Sequence, residues 1–208
     1  MKKLITTLVL CGLLAPAATM AQFQLKDETP ANPDNVPAPV HPIPHERQLK
    51  WQETEFYAFF HYGMNTFTGS EWGFGNEAES RYAPKALPNP EQWVTSVKAA
   101  GMNGGIAVVK HHDGFCLWPT ATTEHSIKNA GNENGRNANI PKLYAEASRK
   151  HNMKYGFYIS PWDRNSAHYG KDTYVTEVFL KQCEELAEYG DDQFEMWFDG
   201  ARGGDGYY

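Results

Sequence analysis

Cysteine is scarce in this sequence: Cys11, Cys116 and Cys183 are the only three in 208 residues. A disulfide scaffold needs more, and a chain of this length can build a hydrophobic core without one. Basic charge is in deficit, with 19 Lys and Arg against 25 Asp and Glu. That balance speaks against nucleic acid or an anionic membrane surface as the main partner. A membrane-spanning run is missing too. The apolar stretch Leu4 to Leu14 is too short to cross a bilayer comfortably. It follows Lys2 and Lys3, is broken by Pro16, and leads to the small-residue region Ala18-Thr19-Met20-Ala21 before Gln22. Residues 1–21 therefore read as a signal peptide that takes Cys11 with it. The mature chain is expected to be exported, to the periplasm or outside the cell, with no membrane insertion after the signal is removed.

Aromatic residues, by contrast, reach 13%, and many Trp and Tyr sit beside Gly, Pro, His and Asp. Flat apolar faces next to hydrogen-bonding groups suit a carbohydrate site, although composition by itself is equally met by aromatics filling a core. Residues 22–47 are rich in Pro, Asn and Asp, which rules out regular helix or central strand and suggests a linker or strap. After it the chain alternates. Short apolar runs at 55–61, 105–110, 154–159 and 194–198 read as strands, and 90–100, 141–151 and 173–189 as helices. Continuous apolar strands separated by helices mark a parallel sheet buried on both faces, so the fold class is α/β. The polar strand ends, His61, His111, Tyr158 and Asp199, recur every 40 to 50 residues or so. In such folds these ends share one rim, and the rim carries the site. Four strands are half of what a closed (β/α)8 barrel requires, so residues 48–208 read as the N-terminal half of such a barrel, incomplete as given. A half-barrel leaves sheet edges open, and the chain expressed by itself is expected to self-associate.

The strand ends carry the chemistry. Asp199 follows an apolar strand, where a carboxylate is costly without partners, though Asp-Gly is also a common turn. Trp197, two residues earlier, faces the same side. A carboxylate beside an indole suits a glycosidase subsite, one attacking the anomeric carbon and the other packing on the sugar. His111 and His112 are adjacent, so both reach one ligand only if the strand bends there. With His61 they raise a metal site as an alternative, which the absence of an alternating His-x-His after strand one disfavours. Glu71 and Trp72 lie in a Gly-rich loop after strand one, where a solvated glutamate is the plain reading and a ligand contact the functional one. Trp118 and Trp162 read as rim aromatics, and 129–139 as a surface loop.

Four stretches, Phe56-Tyr57-Ala58-Phe59-Phe60-His61-Tyr62-Gly63-Met64-Asn65-Thr66-Phe67, Lys110-His111-His112-Asp113-Gly114-Phe115-Cys116-Leu117-Trp118-Pro119, Tyr158-Ile159-Ser160-Pro161-Trp162-Asp163-Arg164 and Met196-Trp197-Phe198-Asp199-Gly200-Ala201, together resemble glycoside hydrolase family 29, the α-L-fucosidases. The resemblance spans about residues 48–203. It implies a TIM-type barrel, Asp199 as the nucleophile of a retaining double displacement, and a fucose pocket lined by His61, Glu71, Trp72, His111, His112, Tyr158 and Trp197. It also implies no metal or other cofactor, and a fucosylated oligosaccharide or glycoprotein glycan as partner. The family's general acid/base and its usual β-sandwich lie downstream of the positions matched here. The approach to the last strand, Gly190-Asp191-Asp192-Gln193-Phe194, differs slightly from the family's, and a slipped register there would turn Asp199 away from the site. A non-catalytic fucose-binding remnant and a metal-dependent barrel hydrolase are the alternatives.

Overall fold

The computed structural model describes residues 43–199. The expected signal peptide, the Pro-rich segment up to residue 42 and the stretch from Gly200 onward lie outside the described residues. Residues 44–199 pack as one unit.

The first helix, α1 (Glu46–Gln52), begins inside the segment expected to be a strap. His45 caps it: its ring accepts from the Arg47 amide while the Gln48 side chain accepts from the His45 amide, so two otherwise orphaned donors are satisfied. Strand β1 (Ala58–Phe60) is shorter than the run 55–61 suggests, because Glu55 takes a left-handed φ of 48° in the turn that leaves α1. Then follow α2 (Met64–Thr68), α3 (Pro90–Ala99), β2 (Gly104–Lys110), α4 (Glu133–Arg136), α5 (Ile140–Lys150) and β3 (Lys154–Ile159). Both α3 and α5 start as their sequences dictate. Asn89 and Asn139 accept from amides in the first turn, and Pro90 and Pro141 occupy first-turn positions that have no amide to lose. Helix α6 (Asp172–Tyr174) passes through a π-helical turn at Val175–Phe179 into α7 (Leu180–Ala187), and β4 (Glu195–Phe198) closes the series.

The strands form one parallel sheet in the order β1-β2-β3-β4. Alternation sends Ala107, Val109, Phe157 and Ile159 to the helix side, where they join Tyr144 and Leu186 in the main core. Ile106, Val108 and Tyr158 face the other way, the side that becomes a barrel lumen, and pack with Tyr57 and Phe194. Between β3 and β4 the register runs Gly156 to Glu195 through Ile159 to Phe198, without a slip.

Two loop expectations change. Residues 129–139 are no plain surface loop: α4 forms there, Ala130 and Ala138 are buried, and Asn132 and Asn134 donate to the Pro84 carbonyl. Trp118 is buried rather than on the rim, its Nε1 donating to Glu185 at 2.7 Å. Cys116 and Cys183 remain separate thiols.

Candidate active site

The carboxyl ends of the four strands bring the expected residues to one edge. His61 and His111 each sit one residue past their strand, Tyr158 lies in β3, Trp197 in β4, and Asp199 just beyond β4. Pairing between β2 and β3 shifts register between Val108 and Lys110. That irregularity bends the end of β2, and both following imidazoles turn into the same cluster. Their ring centroids are 4.1 Å apart, His61 lies 4.7 Å from His111, and His111 stacks on Tyr158 at 5.9 Å.

Asp199 has Tyr158 and His112 as neighbours among the described residues. The Tyr158 hydroxyl donates to its Oδ2, and His112 Nε2 lies 3.7 Å from the same oxygen. His112 is buried, and its Nδ1 is 2.7 Å from Ser160 Oγ. The Ser160 hydroxyl itself donates to the Trp162 carbonyl at 2.7 Å, so the serine has no proton left for the imidazole. His112 Nδ1 must therefore carry the hydrogen and donate to Ser160, which leaves Nε2 as an acceptor facing the Asp199 side. An imidazole lone pair and a carboxylate this close present two acceptors to ligand hydroxyls, each of which donates its one proton to one of them. The Nδ1 of His111 is buried without a hydrogen-bond partner among the described residues, a second polar atom open to a ligand.

The three imidazoles are held neutral. Burial pushes all three downward; His111, crowded further by His112 and His61, falls to about 3 despite an opposing pull from Asp199. Burial and the Asp199 hydrogen bond together push the Tyr158 hydroxyl well above its usual range, so it stays a donor. Asp113, immediately after the pair, is pushed up to about 6 chiefly by burial, with Oδ1 accepting from the Phe115 amide at 2.7 Å.

On the apolar side, Trp197 packs on Tyr158 and Phe59, with centroids 5.7 and 5.1 Å away. Trp72 meets His112 edge-on at 6.1 Å. Glu71 is exposed at the same turn; its carbonyl, with that of Ser70, accepts from the Asn65 side chain at 2.9 Å, so Asn65 shapes the turn that presents Glu71 and Trp72. Beneath the loop, Gly73 has a φ of 68°, and a Cβ there would stand 2.7 Å from the Asp113 Cβ. All eight residues singled out in the sequence thus fall at the carboxyl edge. Sequence reasoning had Gly73 as part of the Gly-rich loop but missed Asn65 and Ser160, which also hold those residues; the Ser-Pro pair ending β3 was the available signal. Among the described residues, no three His, Cys, Asp or Glu side chains converge as a metal-binding group.

Parallel β/α units whose strands lie in chain order, with a polar cluster at the carboxyl edge of the sheet, fit the TIM-type barrel class rather than a doubly wound sheet, whose strand order reverses. The family model for alpha-L-fucosidase matches residues 45–206, and the chain belongs to the alpha-L-fucosidase family. It is 42% identical over 168 residues to alpha-L-fucosidase 1 of Arabidopsis thaliana, a match that covers 80% of this chain and 33% of that protein. Among solved structures it is similar to a glycoside hydrolase 29 family member from an unknown rumen bacterium, with 48% identity and a TM-score of 0.73 over 80% of this chain and 30% of that one. It is also similar to a Ruminococcus gnavus family 29 fucosidase in complex with fucose, with 34% identity and a TM-score of 0.67 over 78% of this chain and 37% of that one. The chain spans about a third of the length of the alpha-L-fucosidase 1 relatives from Arabidopsis thaliana and Oryza sativa that it matches.

Proposed function

We propose that this chain carries the fucose pocket and the nucleophile of a retaining α-L-fucosidase that releases terminal α-L-fucose from fucosylated oligosaccharides or glycoprotein glycans. The observation that carries the reading is Asp199 at the end of β4, hydrogen-bonded by Tyr158 and faced by the acceptor nitrogen of His112. The fucose complex of the Ruminococcus gnavus relative supports the choice of sugar.

In the first step an Asp199 oxygen bonds to the anomeric carbon as the bond to the leaving oxygen breaks. The leaving oxygen takes a proton from a general acid outside the described residues. In the second step that group accepts a proton from water, the water oxygen bonds to the anomeric carbon, and Asp199 departs as carboxylate, so configuration is retained. His61, His111, His112, Glu71 and Trp72 hold the sugar hydroxyls, and Trp197 covers the apolar side. Export, to the periplasm or beyond the cell, is proposed from the signal-like residues 1–21.

The test uses an α-L-fucosyl fluoride whose C2 hydroxyl is replaced by fluorine. Fluoride departs with little acid help, so the first step is readable even where the general acid is lacking. One fucosyl unit esterified to Asp199, seen by peptide mass spectrometry and lost in Asp199→Ala, is the expected result. Label on another carboxylate overturns the assignment. Fucose binding with no label at all points instead to a non-catalytic fucose-binding protein, and label that depends on a chelatable metal to a metal-dependent hydrolase.

A further inference from the structure

Beside His112 and Trp72 the aromatic surface continues through Trp162 and Phe74, two rings that the proposed fucose contacts do not use. Trp162 lies against His112 with centroids 4.8 Å apart and meets Trp72 edge-on at 5.8 Å. The Arg164 guanidinium sits between the Trp162 and Phe74 rings, 5.4 Å from each centroid. Phe74 is 65% exposed, an unusual cost for a phenylalanine in a loop that is otherwise well anchored.

This surface is built rather than loose. Arg164 also donates from its guanidinium to the Gly73 carbonyl and from its amide to the His112 carbonyl at 3.0 Å. Asn165 donates to the Gly75 carbonyl at 2.8 Å, and Gly75, at φ 82°, leaves no room for a Cβ beside the Arg164 backbone. Below, Asp163 caps its own loop by accepting from the Asn165 and Ser166 amides, and it pairs with buried Lys110 at 3.2 Å. The loops after β1 and β3 are thus locked to each other and to the end of β2. A preorganised aromatic surface binds a ring without the entropy cost of ordering its own side chains.

We infer that Trp162, Phe74 and the intervening Arg164 form a leaving-group subsite that takes the sugar ring to which the terminal fucose is attached. The inference rests on the fucose-pocket reading above: if a terminal fucose fills the cluster around Asp199, whatever lies further out is bonded to its anomeric carbon. The apolar C–H face of a pyranose stacks on Trp162 or Phe74, and Arg164 supplies donors to its hydroxyls.

The experiment measures binding to the 208-residue chain by calorimetry or tryptophan fluorescence. The probes are methyl α-L-fucoside and a panel of disaccharides with fucose α-linked to positions 2, 3, 4 or 6 of galactose or N-acetylglucosamine. At least one disaccharide is expected to bind roughly three- to tenfold tighter than the methyl glycoside. In Phe74→Ala and in Trp162→Leu the ratio of the two affinities should fall toward one. Phe74 is so exposed that its removal leaves the fold intact, which keeps the comparison readable. If the methyl glycoside binds and no disaccharide binds better, or if the advantage survives both substitutions, the subsite is overturned while the fucose pocket stands. If the methyl glycoside itself does not bind, the pocket reading fails and the subsite falls with it.

Discussion

At the scale of single residues, the site is an exercise in keeping imidazoles neutral. His111 has an ordinary value of 6.5 that falls to about 3 in the fold, chiefly through burial and then through His112 and His61. A folded value below the unfolded one means that the unfolded chain binds the proton more readily between about pH 6.5 and pH 3. Stability in that window therefore rises with pH and is lost as pH falls, by at most about 1.4 kcal/mol per pH unit for one proton. His111→Gln is expected to flatten the acid limb of a urea-denaturation series run from pH 7.5 to pH 4.5. An unchanged limb would show that His111 is not buried as described. His61, His111, Tyr158 and Asp199 could be named from sequence because each stands at the end of an apolar run. Their mutual arrangement could not, since it depends on a register irregularity in β2 and on the Ser160 hydroxyl, and neither leaves a periodic trace.

At the scale of elements, the junction of β2 with the π-helical turn and α7 is held by a buried charge. The Lys110 ammonium is fully enclosed. Burial disfavours its charge, but Asp163 and Tyr174 outweigh that, so it stays ionised, with Gln182 accepting at 2.8 Å as a third partner. The π turn sets the Tyr174 and Phe179 rings together, stacked with centroids 6.2 Å apart, and the Lys110 nitrogen lies 5.6 and 5.5 Å from those centroids. Lys110→Met should cost about 3–5 kcal/mol in equilibrium unfolding, because Asp163 is left buried without its counter-charge. Adding Asp163→Asn should recover part of that loss, and a strictly additive pair would refute the coupling. The strands and the main helices were legible because continuous apolar runs and Pro-headed helices have few other solutions. Helix α1 was not, since its cap is a histidine inside a proline-rich stretch. The π turn was hidden as well, because residues 173–189 read as one uninterrupted helical pattern.

At the scale of the whole molecule, β1 and β4 each have one strand neighbour among the described residues. Phe56, Phe59, Trp197 and Phe198 leave apolar surface along those edges and the lumen face. The 208-residue chain, purified by itself, is expected to sediment as dimers or larger species, with a fraction that grows with concentration. A single monomeric boundary at tens of micromolar would count against this. That the sheet is parallel and barrel-like was readable from the recurrence of strand ends; that Asp199 stays in register was not, because the segment before β4 could have been accommodated either way. The sheet order also bears on how such a molecule comes into being. Each strand lies beside the one synthesised just before it, so every β/α unit leaving the ribosome meets a finished edge that serves as its template. At roughly 5–20 residues per second, a unit of some 45 residues has several seconds to dock before the next arrives. The rim that gathers His61, His111, Tyr158 and Asp199 is therefore assembled in order, with the carboxylate set in place last, onto imidazoles already positioned to receive it.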